Sequence, residues 1–138
     1  MNIVLFVDDD PYWSQNYQEQ LRKQFTVVYK STADGAIAEL SLQKNIDLLL
    51  LDVMMDTPDS VEIAETEGGL MTGVWILEKL KVSLTEKKMP VIVLTNRQKN
   101  LVIEAVNALG YAKGQVTVFS KTEMSARQLP SEVQARLG

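Results

Sequence analysis

Strongly apolar runs recur along this chain, and most of them end at a charged or hydroxyl side chain. They predict five strands, at residues 2–8, 25–29, 46–52, 91–95 and 115–119. Runs of this length that are rich in branched side chains are typical of buried parallel strands. The four consecutive leucines at residues 48–51 indicate that the third strand lies in the centre of the sheet.

Segments of helical periodicity separate the predicted strands. Asp10 is the predicted N-cap of a first helix, with Pro11 at a position that suits proline. Thr32 is the predicted cap of a second helix. A third helix is predicted at residues 73–81. Leu101, Ala105 and Ala108 mark a fourth, at residues 101–108, which ends at Gly110. A last helix is predicted at residues 122–137, with Pro130 breaking or restarting it.

Five strands in strict alternation with five helices predict an α/β fold. Right-handed crossovers between parallel strands favour a doubly wound sheet with helices on both faces. The natural strand order is 2-1-3-4-5, with the first and third strands as neighbours. At 138 residues the chain has room for a single domain, residues 1–138. The acidic segment at about residues 56–70 exceeds the usual connection of about 2–6 residues, so we interpret it as an inserted loop.

Composition excludes several classes of function. The net charge of −4 and the lack of a basic run argue against nucleic acid as a direct partner. The sequence contains neither cysteine nor histidine, so disulfides, thiolate sites, catalytic triads and common zinc sites are excluded. A cysteine-free chain fits the reducing cytoplasm. We expect no signal peptide, because the N-terminus runs straight into the first strand without a basic region. We expect no membrane insertion, because no apolar run approaches the roughly 20 residues that span a bilayer.

The polar residues at the strand ends carry the candidate chemistry. Asp8 and Asp9 follow the first strand, Asp52 ends the third, Thr95 ends the fourth and Lys121 follows the fifth. Carboxyl ends of parallel strands meet at one edge of the sheet, where ligands bind. An oxygen-rich site without histidine suits Mg²⁺. A carboxylate beside Mg²⁺ and a lysine can act as a nucleophile toward a phosphoryl group.

These motifs resemble those of a known family. The sequence VDDDP at residues 7–11, LLLLD at 48–52, Gly73, VIVLT at 91–95 and FSK at 119–121 are together similar to the receiver domain of two-component response regulators. The resemblance covers essentially the whole chain. It implies the flavodoxin-like version of the predicted fold and a stand-alone receiver.

The resemblance also implies roles for the strand-end residues. Asp52 would be the phosphoacceptor, and Thr95 the switch hydroxyl. Lys121 would pair with the phosphoryl group. Asp8, Asp9 and Asp52, with the backbone carbonyl of Met54, would hold Mg²⁺. The donor would be a phosphohistidine on a histidine kinase or phosphotransfer protein.

Several further expectations concern activity and output. The resemblance implies no catalytic activity beyond self-phosphorylation from a donor and self-dephosphorylation. Output would pass through a protein partner, by way of the fourth predicted helix, the fifth strand and the last helix. We expect a monomer or weak dimer.

The sequence departs from the family pattern in ways that concern output. Asp56 stands where proline usually follows the phosphoacceptor. Thr122 follows Lys121 where a proline in a cis peptide bond is usual, so we expect a trans bond here, given the cost of about 2.5–4 kcal/mol for a cis bond without proline. Val118 occupies the place of the aromatic switch residue, and Phe119 lies one place later.

Two alternatives stay open at this point. The chain could be a receiver-like scaffold that binds its partner without phosphorylation. It could also be a small phosphatase of the haloacid dehalogenase type, to which Asp8-x-Asp10 and Lys121 bear a faint similarity. The order of the motifs argues against the phosphatase, because Asp52 precedes the lysine.

Overall fold

The computed structural model describes residues 1–42, 45–59 and 61–138 of the chain. Five strands and six α-helices lie in this part. Their bounds are β1 Ile3–Val7, α1 Pro11–Arg22, β2 Thr26–Lys30, α2 Ala33–Leu42, β3 Leu48–Asp52, α3 Thr72–Lys79, α4 Lys81–Glu86, β4 Val91–Thr95, α5 Lys99–Ala108, β5 Val116–Ser120 and α6 Leu129–Leu137, with a short 3-10 helix at Ile63–Thr66.

The five strands form one parallel sheet in the order β2-β1-β3-β4-β5. The predicted doubly wound, flavodoxin-like topology is therefore confirmed. Because all strands run the same way, their carboxyl ends share one edge of the sheet. In register, Asp52 pairs with Leu94 and Thr95 with Ser120, so the predicted strand-end residues meet at this edge.

Two layers of apolar side chains enclose the sheet. Leu49 and Leu51 face a cluster that contains α2, α3 and α5, whereas Leu48 and Leu50 face a cluster that contains α1 and α6. Every residue of β3 and β4 is buried. This two-sided burial explains why these strands are continuously apolar rather than alternating.

The predicted third helix, at residues 73–81, agrees with α3 to within two residues, and a second short helix that was not predicted follows it. The structure ends α3 at Lys79 and begins α4 at Lys81, and Leu80 between them leaves helical geometry with φ −98° and ψ 7°. The hydroxyl of Tyr111 donates to the carbonyl of Leu77. In a continuous helix that carbonyl would accept the amide of residue 81. The Tyr111 side chain thus bonds to the carbonyl that residue 81 would use if the helix continued.

The predicted fourth helix is present as α5, but residues other than Leu101 form its buried face. Leu101 is 43% exposed, whereas Val102 and Val106 are buried against the sheet. Both sets of positions satisfy helical spacing, and the packing against the sheet selects the valines. Ala105 is half-buried beside them.

The last helix is shorter than predicted. It begins at Leu129 rather than at residue 122, and Pro130 lies in its first turn, where its missing N–H costs nothing. The preceding residues form turns, in which the Ser125 hydroxyl accepts the Gln128 amide at 3.2 Å. None of the described helices is long and apolar enough to cross a membrane.

The connection from β3 to α3 folds back onto the end of β3. The Met55 amide donates to the Gly69 carbonyl at 3.1 Å, and the Thr72 hydroxyl donates to the Met55 carbonyl at 2.6 Å. One position of the predicted inserted loop, residue 60, lies outside the described residues. The described part of this connection contains the 3-10 helix, so it holds ordered backbone beside the carboxyl edge.

Candidate functional site

Asp8 lies at the centre of the carboxyl edge, directly after β1. It is fully buried, and its Oδ1 accepts the Asp10 amide at 2.8 Å. Its backbone carbonyl accepts the hydroxyl of Tyr29. Asp10 caps α1 as predicted, because its carboxylate accepts the amides of Tyr12 and Trp13, each at 3.0 Å. These bonds fix the turn that presents Asp8.

Three carboxylates converge at this edge. Asp8 and Asp52 are buried and Asp9 is exposed, yet each offers an oxygen within 4.8 Å of the others. The structure thus brings together the three acids that the sequence predicts as metal ligands. Met54 is half-buried two residues after Asp52. The metal role of its backbone carbonyl stays a prediction.

Lys121 supplies the positive charge among these acids. Its Nζ lies 3.4 Å from Asp8 Oδ2 and 3.4 Å from Asp52 Oδ1, and its side chain is only 7% exposed. The peptide bond to Thr122 is trans, as expected. The Lys121 amide donates to the Thr95 carbonyl at 2.9 Å, which ties the lysine's backbone to the end of β4.

An aromatic ring completes the surroundings of Lys121; its sequence position predicts that it lies within about a turn of the acidic pocket, without a role there. The Nζ atom lies 3.8 Å from the centre of the Trp13 ring. Trp13 stacks on Tyr17 with ring centres 4.4 Å apart. The only available signal in the sequence was that Trp13 lies one helical turn after Asp10.

Thr95 reaches the edge fully buried, with its hydroxyl engaged by its own loop. Its Oγ1 accepts the Arg97 amide at 2.9 Å. Arg97 in turn pairs with Glu67 of the β3–α3 connection at 3.4 Å. No pattern in the sequence predicts this ion pair. It links the loop after β4 to the long connection after β3.

The position at which the family pattern expects an aromatic switch residue holds Val118. This side chain packs in the cluster that contains α5, whereas Phe119 packs in the cluster on the opposite face of the sheet. The two residues thus point to different layers. The departure seen in the sequence is therefore also a departure in packing.

The electrostatics of the site reflect an excess of negative charge. Burial and, after it, the nearby Asp8 carboxylate raise the pKa of Asp52 to about 7 against the opposing effect of Lys121. Burial likewise raises the pKa of Asp8. The pKa of Asp9 is raised by burial and then by the Asp56 carboxylate. One ammonium does not balance three carboxylates.

This excess of charge fits a divalent cation. Carboxylate oxygens are the ligands that hard cations such as Mg²⁺ prefer, and two further positive charges would neutralise the acids that Lys121 leaves uncompensated. The acid cluster could therefore hold a metal ion.

We expect the metal-free protein to lose stability as the pH rises from about 4 to 7. A folded-state pKa above the unfolded value means that the native state holds more protons in this window, so deprotonation favours unfolding. The loss from Asp52 amounts to at most roughly 4 kcal/mol. Urea unfolding with a chelator, measured across this pH range, checks the expectation.

The variant Asp52→Asn should remove most of this slope, because the amide does not titrate. The matched control is Asp34→Asn, an exposed acid in the first turn of α2. It should retain the slope. An unchanged slope in Asp52→Asn would contradict the proposed origin of the effect.

Comparisons with known proteins agree with the geometry. The family described as the response regulator receiver domain matches residues 4–129. A CheY-like receiver domain protein from Methanospirillum hungatei JF-1 is similar in structure, with a TM-score of 0.74 at 21% identity, covering 99% of this chain and 94% of that one. The BeF3-activated DrrB receiver domain has a TM-score of 0.71 at 20% identity, covering 99% and 97%.

A third structure, the receiver domain of the Francisella response regulator 1452, has a TM-score of 0.73 at 19% identity and covers 99% of this chain and 97% of that one. The search of curated proteins found no match. At these identities the structural matches show the fold, and the family match extends over all five strands.

Proposed function

The chain belongs to the response regulator receiver domain family, and from this premise we propose that it accepts a phosphoryl group on Asp52 in a Mg²⁺-dependent reaction. The observation that carries the proposal is the convergence of Asp8, Asp9 and Asp52 with the buried Lys121 ammonium at one sheet edge. We treat residues 1–138 as one receiver domain, with an acidic inserted loop at about residues 56–70.

Each side chain has a part in the transfer. A carboxylate oxygen of Asp52 attacks the phosphorus of a phosphohistidine, the bond from phosphorus to the donor nitrogen breaks, and the imidazole keeps the electron pair. Lys121 pairs with a phosphoryl oxygen. Asp8, Asp9, Asp52 and the Met54 carbonyl would hold Mg²⁺, which when bound offsets the negative charge on the transferring group.

Thr95 would then report the modification. A phosphoryl group adds acceptor oxygens beside β4, and the buried Thr95 hydroxyl would donate to one of them. To do so it must withdraw its hydrogen from the Arg97 carbonyl, to which the hydroxyl donates at 3.4 Å. The loop after β4 would rearrange, and the surface formed by α5, β5 and α6 would change its population of conformations.

The implied partners follow from the missing histidine. The phosphohistidine must come from a histidine kinase or phosphotransfer protein, since this chain has none. The downstream partner is a protein rather than nucleic acid, and we propose a monomer or weak dimer in the cytoplasm. The haloacid dehalogenase alternative and the phosphorylation-independent scaffold are not favoured by the family match.

The β3–α3 connection would take part in donor access. Its Asp56 carboxylate lies close enough to raise the pKa of Asp9, and its Glu67 pairs with Arg97 beside Thr95. A connection placed between the metal ligands and the switch loop can restrict which donor reaches Asp52. It can also contribute part of the docking surface for that donor.

We expect Asp52→Asn to abolish phosphorylation. Incubation of the wild type with acetyl phosphate and Mg²⁺ should add the mass of one phosphoryl group, as measured by intact mass spectrometry, and peptide mapping should place it on Asp52. The variant should stay unmodified, because an amide oxygen is a poor nucleophile. A chelator should also prevent modification of the wild type.

The matched control Asp34→Asn should be phosphorylated like the wild type. An unmodified wild type, tested with both acetyl phosphate and a phosphorylated transfer protein, would overturn the proposal. Modification of Asp52→Asn at another residue would overturn the assignment of the acceptor.

A further inference from the structure

The ring of Trp13 lies against the Lys121 ammonium, with its centre 3.8 Å from Nζ. We propose that Trp13 is a positioning residue that holds the Lys121 ammonium over the phosphoacceptor by a cation–π interaction. The proposal rests on the proposed function of Asp52, and it adds a residue to the machinery that the strand-end motifs do not contain. Three observations carry it: the contacts of the ammonium, the anchoring of the ring and the backbone of the lysine.

The contacts of the ammonium form a three-sided enclosure. An ammonium has three N–H donors. Two sides of Lys121 Nζ face Asp8 and Asp52, each at 3.4 Å, and the ring centre of Trp13 lies 3.8 Å away. This separation is well inside the roughly 6 Å reach of cation–π attraction, and the burial of Lys121 increases its strength.

Contacts of both its backbone and its ring hold Trp13 in place. The Trp13 amide donates to the capping Asp10 at 3.0 Å, which fixes the start of α1. The ring stacks on Tyr17 with planes inclined by 25°. The Tyr17 hydroxyl donates at 2.5 Å to the carbonyl of Met124, three residues after Lys121. The stacked pair therefore joins α1 to the loop that carries the lysine.

The backbone after Lys121 lacks a proline, and this makes the aromatic contact important for orienting the lysine side chain. Thr122 follows the lysine in a trans peptide, so no proline ring restrains the chain at that point. The Lys121 amide is bonded to the Thr95 carbonyl at 2.9 Å, and the turn after it is held by a bond from the Glu123 amide to the Ser120 carbonyl and by an exposed bond from the Ser120 amide to the Glu123 carboxylate at 2.9 Å. The direction of the long lysine side chain is then fixed by Asp8, Asp52 and Trp13.

The first experiment varies the electron density of the ring while it keeps the ring's shape. In a Trp75→Phe background, Trp13 is the only tryptophan, and it can be replaced biosynthetically by tryptophans with one, two or three fluorines. Fluorine withdraws electrons from the ring face and weakens cation–π attraction. The rate of Asp52 phosphorylation by acetyl phosphate should fall stepwise with each fluorine, about fivefold or more across the series.

Conventional variants test the same proposal in the native Trp75 background. Trp13→Leu should phosphorylate about 5- to 30-fold more slowly, whereas Trp13→Phe, which keeps an aromatic face, should recover part of the rate. The matched control is Tyr12→Leu, because Tyr12 is 89% exposed in the same helical turn. It should leave the rate unchanged. Equal rates for Trp13→Leu and Trp13→Phe, with no trend across the fluorinated series, would overturn the proposal.

A second measurement separates this proposal from the proposed function. A double-mutant cycle of Trp13→Leu and Lys121→Met, followed by urea unfolding without metal, measures the contact without any phosphorylation. The coupling should change the unfolding equilibrium constant about fivefold. If Trp13 and Lys121 are coupled but no donor phosphorylates the protein, the contact is retained and the proposed function is overturned. If the two residues are not coupled, the positioning role is overturned.

Discussion

Replacing Gly73 by alanine is expected to destabilise the protein by about 2–3 kcal/mol. A methyl group there would lie 2.4 Å from the Asp52 carbonyl oxygen and 2.8 Å from the Val53 Cα. The Gly73 amide also donates to the Val53 carbonyl at 2.8 Å, so the start of α3 is fixed against the end of β3. The methyl group must push the helix away from the strand that carries Asp52, the proposed phosphoacceptor.

The expected loss of stability is opposite in sign to the usual effect of replacing glycine by alanine in a helix. In an ordinary helix, glycine to alanine stabilises by about 1 kcal/mol. Urea unfolding should instead show a loss, and Mg²⁺ affinity should fall with it because the backbone of Asp52 moves. The comparator is Gly114→Ala, where the added atom meets nothing within 4 Å and only the φ of 83° opposes the change, at about 1 kcal/mol. A Gly73→Ala protein as stable as the wild type would contradict the close packing.

The second large effect is expected for Lys121→Met, which keeps the apolar stem and removes the charge. Asp8 and Asp52 would then be buried acids without a cation, and removing one partner of a buried pair typically costs about 3–5 kcal/mol. Protonation of Asp52 relieves part of this cost, so we expect a loss of about 2–4 kcal/mol at pH 7 without metal. The phosphorylation rate should fall about 100-fold or more.

Two comparisons identify the cause. In an Asp52→Asn background, Lys121→Met should cost clearly less, because one of the two buried charges is already absent. The control Lys99→Met removes a lysine whose ion pair with Glu123, at 2.7 Å, is substantially exposed. Surface pairs contribute at most about 1 kcal/mol, so this variant should resemble the wild type. Equal losses for Lys121→Met and Lys99→Met, measured by urea unfolding, would contradict the assignment.

Much of this arrangement could be predicted from the sequence because the site is built from strand ends. The leucine run of β3 predicted a central strand, and the parallel topology then placed Asp52 beside Asp8 and close to Lys121. No side-chain contact had to be known for this step. The geometry of a parallel sheet brings together residues that lie far apart in the sequence.

The contacts that the sequence did not predict depend on which helix face meets which loop. Trp13 has the spacing of an ordinary core residue, and only the packing of α1 against the β5–α6 loop places its ring over Lys121. The Glu67–Arg97 pair joins two irregular segments whose sequences have neither helical nor strand periodicity. In α5, the choice of Val102 over Leu101 likewise belongs to tertiary packing.

The sequence separation of the site residues has a consequence for synthesis. Lys121 contacts Asp8 across 113 residues, and Tyr17 reaches Met124 across 107. A nascent chain emerging from the ribosome thus exposes its acids and the Trp13 ring long before the Lys121 ammonium arrives. Contacts between residues so far apart in the sequence also form late in folding. An incomplete chain therefore lacks the proposed acceptor chemistry and does not compete with finished molecules for the phosphoryl donor.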